Sequence, residues 1–564
     1  MKKETAGKAI RVILPLLHFA LTFILERLIL VFDKDYSFVS AIAMNNIISD
    51  GAERAIAYCV SKLFAGIIIF LLWKLLFYII DCRFKEKFLW IFGGLFLVGL
   101  VLGFIVWPFS FTMSKDNYVT YMYAIRLAPE YWHNAYTSFA LCAYLMVFPH
   151  PAAIMGFQWM GFVAAIAYGY RRIEKSPVLK GKGKFLVFLL FLIPFTYRIF
   201  ADPYRTEQYA ILCLFYMILI VMDLIEKKKR PVWQFVLLLV LSAFIGVWRT
   251  EGVILGVLSM IAYCIFVREE KLKKTIVYTA IVLAAYLVIS VPQKLGDAKY
   301  YGSDYTFINS FPTLRNILDN ENANLYYDGV EQDIEAINAV VPIPLLKAYD
   351  MEGYRRYNYA NGRPDINQSM AEKEVQEAYT GAYYRLLLHN IPIYLDTQIH
   401  MLLHCVGLPI ATYEETYAIT EEEDLPNWVF KAWDDGEADY FSSFKTYDWF
   451  MNEKRQKVAA VIMFNTIENG EKYLNKILVL PLFILASVAF EFWIMLKEFI
   501  NLCKKKKENA GFFAFAMIIL MQGGAIFLVM PAAALCYFHS FLYCTFTLNT
   551  GYVLKKRLMK KNER

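Results

Sequence analysis

Lys and Arg in this chain collect on alternate connections between apolar segments, and this regularity limits what the chain can fold into more than any other feature. The segments run near 10–32, 57–81, 88–108, 151–170, 185–200, 208–225, 234–250, 252–267, 276–293, 475–497, 511–530 and 534–553. Every second connection is basic: Arg83, Lys85 and Lys87, then Arg171 to Lys184, Lys227 to Arg230, Arg268 to Lys274, Lys504 to Lys507, and the tail from Lys555. The intervening short connections carry few cations. The positive-inside rule then predicts a polytopic membrane protein of about 12 transmembrane helices with both termini cytoplasmic.

Composition agrees. Hydrophobic residues make up 58% of the chain and charged residues 19%, which excludes an ordinary soluble domain. Several apolar runs approach the roughly 20 residues that a spanning helix needs. The first follows a basic N-terminus as a signal peptide would, but it lacks a small-residue cleavage site and contains Glu26 and Arg27, so an uncleaved helix is expected.

The net charge of +7 conceals a partition. Residues 294–474 hold 29 Asp and Glu against 15 Lys and Arg, a net −14, which leaves +21 for the remainder. This stretch is too polar to span and follows an outward-running segment, so it is expected to be an extracytoplasmic, acidic domain. Helical patterns near 328–340, 370–389 and 395–406, separated by Pro342, Pro344 and Pro364, make it mostly helical. The expected organisation is an N-terminal membrane domain over 1–293, the outer domain over 294–474, and C-terminal membrane helices with a basic tail over 475–564. Nucleic-acid binding has no support, because the cations belong to cytoplasmic loop ends. Nine cysteines with no CxxC pair argue against a disulfide framework or a zinc ribbon.

The first long outer loop, 109–150, is aromatic-rich, and Tyr118, Tyr121, Tyr123, Tyr131, Trp132 and Tyr136 suit a membrane interface. Orientation forbids an extra crossing there, so one or two helices lying in the interface are expected over 119–148.

Topology puts four polar groups on the outer face: Ser114-Lys115-Asp116-Asn117, the turn Asp202-Pro203-Tyr204-Arg205-Thr206-Glu207, the turn Arg249-Thr250-Glu251-Gly252, and Arg198 near a helix end. Charges at membrane depth are costly and face a cavity or a partner. Structural ion pairing in tight hairpins is the plainer reading of these residues; a shared pocket is the functional one. A carboxylate can take a proton from an acceptor hydroxyl. Arginine forks can hold a phosphate and stabilise charge on a leaving group.

SKDNYVTYMYA (114–124), DPYRTEQY (202–209) and WRTEG (248–252) resemble motifs of the GT-C superfamily of polyprenyl-phosphate-sugar-dependent glycosyltransferases, of the protein O-mannosyltransferase and aminoarabinose transferase type. SFPTLRNI (310–317) and HNIPIYL (389–395) resemble the outer part of uncharacterised bacterial members. The resemblance implies a GT-C-like fold and an enzyme that moves a hexosyl or pentosyl unit from a polyprenyl phosphate to a glycan, lipid or protein acceptor. Carried over, Asp116 matches the catalytic base, and Arg205 and Arg249 match the donor-phosphate positions; Arg198 is a further candidate to hold the phosphate. Lys115, Asp202, Glu207 and Glu251 would support them, and Tyr131, Trp132 and His133 would line the sugar or acceptor groove. Two departures stand out: three helices precede Asp116 instead of one, and its neighbours are Lys115 and Asn117 rather than a second acid. No cofactor is read from the residues. A lone carboxylate among cations fits a metal-free inverting displacement better than a divalent-metal mechanism.

Other features compete. Asp396, His400 and His404 share one helical face at i, i+4, i+8 spacing. Without an HExxH glutamate they read as the polar side of an amphipathic helix rather than as a metal site. Glu491 lies inside a predicted span. A transporter or flippase for lipid-linked saccharides, or a polysaccharide polymerase or ligase, is the alternative function. Transporters tend to show repeats and midplane polar residues, whereas the candidates here sit at one surface.

Overall fold

The computed structural model describes residues 2–29, 51–82, 85–106, 120–121, 123–149, 152–192, 205–300, 304–348, 372–405, 479–506, 508–530 and 535–562. No strand occurs among them. Six helices are long and apolar enough to cross a membrane: parts of α1 (Lys2–Ile29), α2 (Gly51–Cys82), α5 (Ala152–Lys175), α6 (Arg205–Glu226), α9 (Leu272–Tyr300) and α16 (Ala510–Val529). Shorter apolar helices join them, including α3 (Lys87–Val106), α4 (Ala135–Val147), α7 (Val232–Trp248) and α8 (Ser259–Phe266). Near the C-terminal end come α15 (Val479–Cys503) and α17 (His539–Asn562). The apolar segment at 185–200 opens as a 3₁₀ helix, Lys184–Leu192, rather than an α-helix.

Burial ranks these helices. In an 18-residue stretch of Thr206–Glu226 in α6, 83% of residues are buried, against 6% for Ala9–Glu26 of α1. Helix α6 holds the centre of the bundle, flanked by α17, α5 and α7. Its closest partner is α17. A side chain at Gly551 would meet the Val221 methyl at 2.2 Å, so glycine there sets the approach of the two backbones.

The stretch 119–148, where interfacial helices are expected, contains α4. In α4, 12 of 13 residues are buried, and at about 1.5 Å per residue the helix is only about 20 Å long. It packs between α1, α2 and α5. Tyr121, Tyr123, Tyr131 and Tyr136 are all buried, and the Tyr136 hydroxyl donates to the Ile289 carbonyl of α9 at 2.6 Å. Aromatic residues that suit an interface serve equally as packing once neighbouring helices cover them.

Past the span, α9 continues to Tyr300, so position 294 lies inside a helix. Five further helices follow among the described residues: α10 (Asp304–Leu318), α11 (Val330–Val340), α12 (Ile343–Ala348), α13 (Lys373–His389) and α14 (Ile391–Cys405). They enclose a separate apolar core built on Leu314, Ile317, Ile337, Tyr379, Ala382 and Leu386. The helical patterns read near 328–340, 370–389 and 395–406 correspond to α11, α13 and α14. This unit meets the bundle through Trp132, which packs against its core, and through a hydrogen bond from the Tyr394 hydroxyl to the Leu528 carbonyl at the end of α16.

Candidate functional site: a charged cluster at one end of the bundle

Three distant segments converge where α6 begins, α7 ends and α17 begins. Arg205 to Glu207 form the first turn of α6 rather than a loop, and a carboxylate there is favoured by the exposed amides of the helix N-terminus. The Thr206 hydroxyl donates to Glu207 Oε2 at 2.6 Å. Glu207 Oε1 lies 3.1 Å from Nδ1 of His539, the first residue of α17, and both side chains are almost fully buried.

Arg249 caps α7 in an extended conformation, which turns the chain sharply. The Gly252 amide donates to the Arg249 carbonyl at 2.9 Å, closing the turn. The Arg249 Nε pairs with Glu251 Oε1. Its guanidinium carbon stands 5.9 Å from the Tyr209 ring centre and 5.7 Å from that of Tyr537, a cation held between two aromatic faces. Gly252 makes this possible: a Cβ there would lie 2.1 Å from the Ile245 carbonyl and 2.6 Å from the Tyr209 hydroxyl. A π-helical turn, Ile254–Leu258, follows immediately; such turns re-aim a helix and often sit beside functional sites. Tyr209 Oη is buried beside Cys213, and Trp248 Nε1 is buried with no hydrogen-bond partner among the described residues.

The sequence-predicted residues divide accordingly. Arg249, Glu251 and Glu207 come together, and the Arg205 backbone is in the same turn as Glu207. Lys115, Asp116, Arg198 and Asp202 lie outside the described residues. The segment Tyr131-Trp132-His133 is adjacent rather than inside. Tyr131 belongs to an apolar group that includes Val247, and Asn134 Nδ2 donates to the Val247 carbonyl at 2.8 Å. His133 faces inward: its Nδ1 is 3.1 Å from the buried Glu130, which also accepts from the His133 amide at 2.8 Å. Gln293 of α9 clamps this segment, donating to the Tyr131 carbonyl and accepting from the Ala135 amide, each at 2.7 Å.

Sequence reasoning missed Tyr537, His539 and Glu130. Tyr537 and His539 sit in an apolar segment remote in sequence from Arg249, and the only available signal was a histidine at the head of that segment.

The opposite end carries a second cluster, also unanticipated. Asp223, fully buried, accepts from Arg172 at 3.1 Å, from Arg230 at 3.1 Å and from the Tyr263 hydroxyl at 3.0 Å. Arg172 reaches Glu226 as well, at 2.8 Å. Two cations of the basic connections are thus ligands of one buried acid. In α14, His400 Nε2 lies 3.7 Å from Asp396. The pair lines a cavity of about 560 Å³ with Asn316, Asp319 and Asn320. The His404 side chain lies outside the described residues, and no group of three potential metal ligands occurs among those described.

The fold and these buried charge clusters define an all-α, multi-pass membrane protein. No protein-family model, curated protein or solved structure matches the chain.

Proposed function

We propose that the protein is a membrane glycosyltransferase with a GT-C-like arrangement of about 12 spans, using a polyprenyl-phosphate sugar on the outer face of the membrane. In this reading both termini are cytoplasmic, and the Arg249 end of the bundle and the α10–α14 unit are extracytoplasmic. The observation that supports it most is the meeting of Arg249 with the first turn of α6, the turn that also carries Arg205. A donor phosphate at this depth would have an arginine fork and two buried donor groups, Tyr209 Oη and Trp248 Nε1, within one cluster.

In the reaction the acceptor hydroxyl oxygen attacks the anomeric carbon. The bond from that carbon to the phosphate oxygen breaks, and its electron pair leaves with the lipid phosphate. Asp116 takes the hydroxyl proton, and the configuration inverts. Arg205, Arg249 and Arg198 hold the phosphate and stabilise its growing charge. Glu251 orients Arg249 through Nε, as carboxylate partners orient arginine forks elsewhere. The acceptor is a glycan, lipid or protein, recognised from the side of Trp132 and the α10–α14 unit. The residues carry the displacement without a divalent metal.

The test is sugar transfer by the purified protein in lipid, with radiolabelled polyprenyl-phosphate sugars and a membrane-glycan extract. Wild type should transfer. Asp116→Asn and Arg249→Ala should each lose about 10²-fold or more while remaining folded. Full activity in Arg249→Ala would reject the phosphate site. The competing reading, a transporter or flippase for lipid-linked saccharides, draws on one observation, the buried Glu491 of α15.

A further inference from the structure

Glu491 is the midpoint of α15, twelve residues from either end of Val479–Cys503, or about 18 Å at 1.5 Å per residue. Its side chain is fully buried. Among the described residues no donor other than the Thr545 hydroxyl reaches the carboxylate, and no Lys, Arg or His pairs with it. An ionised carboxylate so placed is prohibitively costly without a compensating positive charge. Ionisable groups inside a bundle mark ion or proton sites more often than structural ones.

The surroundings supply oxygens rather than cations. The buried Thr545 hydroxyl of α17 faces Glu491. One turn further along the same face is Asn549, whose Nδ2 donates to the Ser487 carbonyl at 2.9 Å. Its Oδ1 is buried and unpartnered. Ser487 and Glu491 share a face of α15 at i, i+4, as Thr545 and Asn549 do on α17. One seam between two helices therefore gathers four buried oxygens, which among the described residues find no donor beyond the Thr545 hydroxyl itself. Native proteins rarely leave even one such atom buried.

We infer that the seam between α15 and α17 is an exchangeable monovalent-cation site, with Glu491 as the anionic ligand and Thr545 Oγ1 and Asn549 Oδ1 as neutral ligands. One carboxylate balances one positive charge; a divalent ion would leave an excess charge in a low-dielectric interior. Hard oxygen ligands suit sodium or a proton rather than a soft metal. The other groups that face the site leave it isolated. Cys544 of α17 is beside Glu491, with Cys213 of α6 next to it. Helix α16 has no ionisable side chain. On α17, His539 is engaged by Glu207 and Lys556 by Glu498. Cys213 also lies beside Tyr209 of the Arg249 cluster, but the inference does not depend on the glycosyltransferase reading.

Infrared difference spectra of the full chain in lipid nanodiscs, wild type minus Glu491→Gln, test this across pH in sodium chloride and in choline chloride. For a proton site, a protonated-carboxyl band lost in Glu491→Gln converts to carboxylate as pH rises, regardless of sodium. For a sodium site, adding sodium at constant pH makes the conversion, and sodium raises the wild-type melting temperature but not that of Glu491→Gln. Thr545→Val, nearly isosteric, should weaken cation binding about tenfold and shift the band, which keeps the assignment if Glu491→Gln does not fold. A carboxyl band that responds to neither pH nor sodium would mean a locked neutral acid and would overturn the site. A carboxylate band present under all conditions would overturn it equally.

Discussion

Glu207 and His539 form a buried carboxylate–imidazole pair, 3.1 Å apart, between the first turn of α6 and the first residue of α17. The pair locks the two most closely packed helices of the bundle at one end, and Gly551 lets them approach further along. It also fixes the start of α17 so that Tyr537 faces Arg249. Packing at the centre of the fold and geometry at the charged cluster are therefore one constraint.

His539→Ala should leave Glu207 without its imidazole in a buried site. A loss of about 1–3 kcal/mol is expected, seen as a lower melting temperature in detergent. The double substitution with Glu207→Gln should lose less than the sum of the single losses. Strict additivity would show that the two side chains do not interact.

Gly252→Ala places a methyl 2.1 Å from the Ile245 carbonyl. Backbone cannot yield there as a flexible side chain would, so a loss of about 1–3 kcal/mol is expected. Gly524→Ala is the control: nothing lies within 4 Å of its Cβ, and its effect should stay within about 0.5 kcal/mol. Thermal unfolding of both variants decides the matter.

Asp223→Asn removes the acid that Arg172, Arg230 and Tyr263 share. Breaking a buried ionic cluster by removing one partner costs about 3–5 kcal/mol, so this variant should show the largest loss among single substitutions at that end. Arg172→Lys should also be destabilising, because an ammonium cannot bond Asp223, Glu226 and Tyr168 in one plane. Equal stability of wild type and Arg172→Lys would show that the fork geometry is irrelevant.

In the α10–α14 unit, burial raises the Asp333 carboxyl, but hydrogen bonds from Arg385 and Tyr327 outweigh burial and hold it below the usual carboxylate range. The distances are 2.5 Å from Arg385 Nη2 and 2.7 Å from the Tyr327 hydroxyl. A depressed folded value means that the stabilisation is fully present above the unfolded pKa of about 3.9 and is lost as pH falls through the folded value. Acid should therefore loosen this unit. Asp333→Asn should be less stable at neutral pH by about 1 kcal/mol, a modest figure because Arg385 is more than half exposed. Its acid dependence in this window should flatten, as melts at several pH values would reveal.

Much of the helical framework is legible in the amino-acid sequence. A run such as 208–225 or 511–530 declares itself because the free energy of burying apolar residues depends on local composition alone. The patterns at 328–340 and 370–389 carry the same information through their period. Arg249 and Glu251 are also legible, since a charged pair squeezed between two apolar helices is conspicuous in one dimension. The role of Tyr121, Tyr131 and Tyr136 is not, because an aromatic ring suits a membrane interface and a packed core equally well.

Local hydropathy and periodicity determined which segments became helices and where the charged turns fell. Only tertiary structure decided that His539 meets Glu207, that Tyr537 faces Arg249, that Arg172 and Arg230 fold onto Asp223, and that Glu491 lies among buried oxygens. The physical reason is that helix formation is settled within a few residues, by hydrogen bonds to neighbours along the chain. The pairing of helix faces depends on complementary shape and charge between segments that are often tens to hundreds of residues apart, and no local pattern encodes that choice.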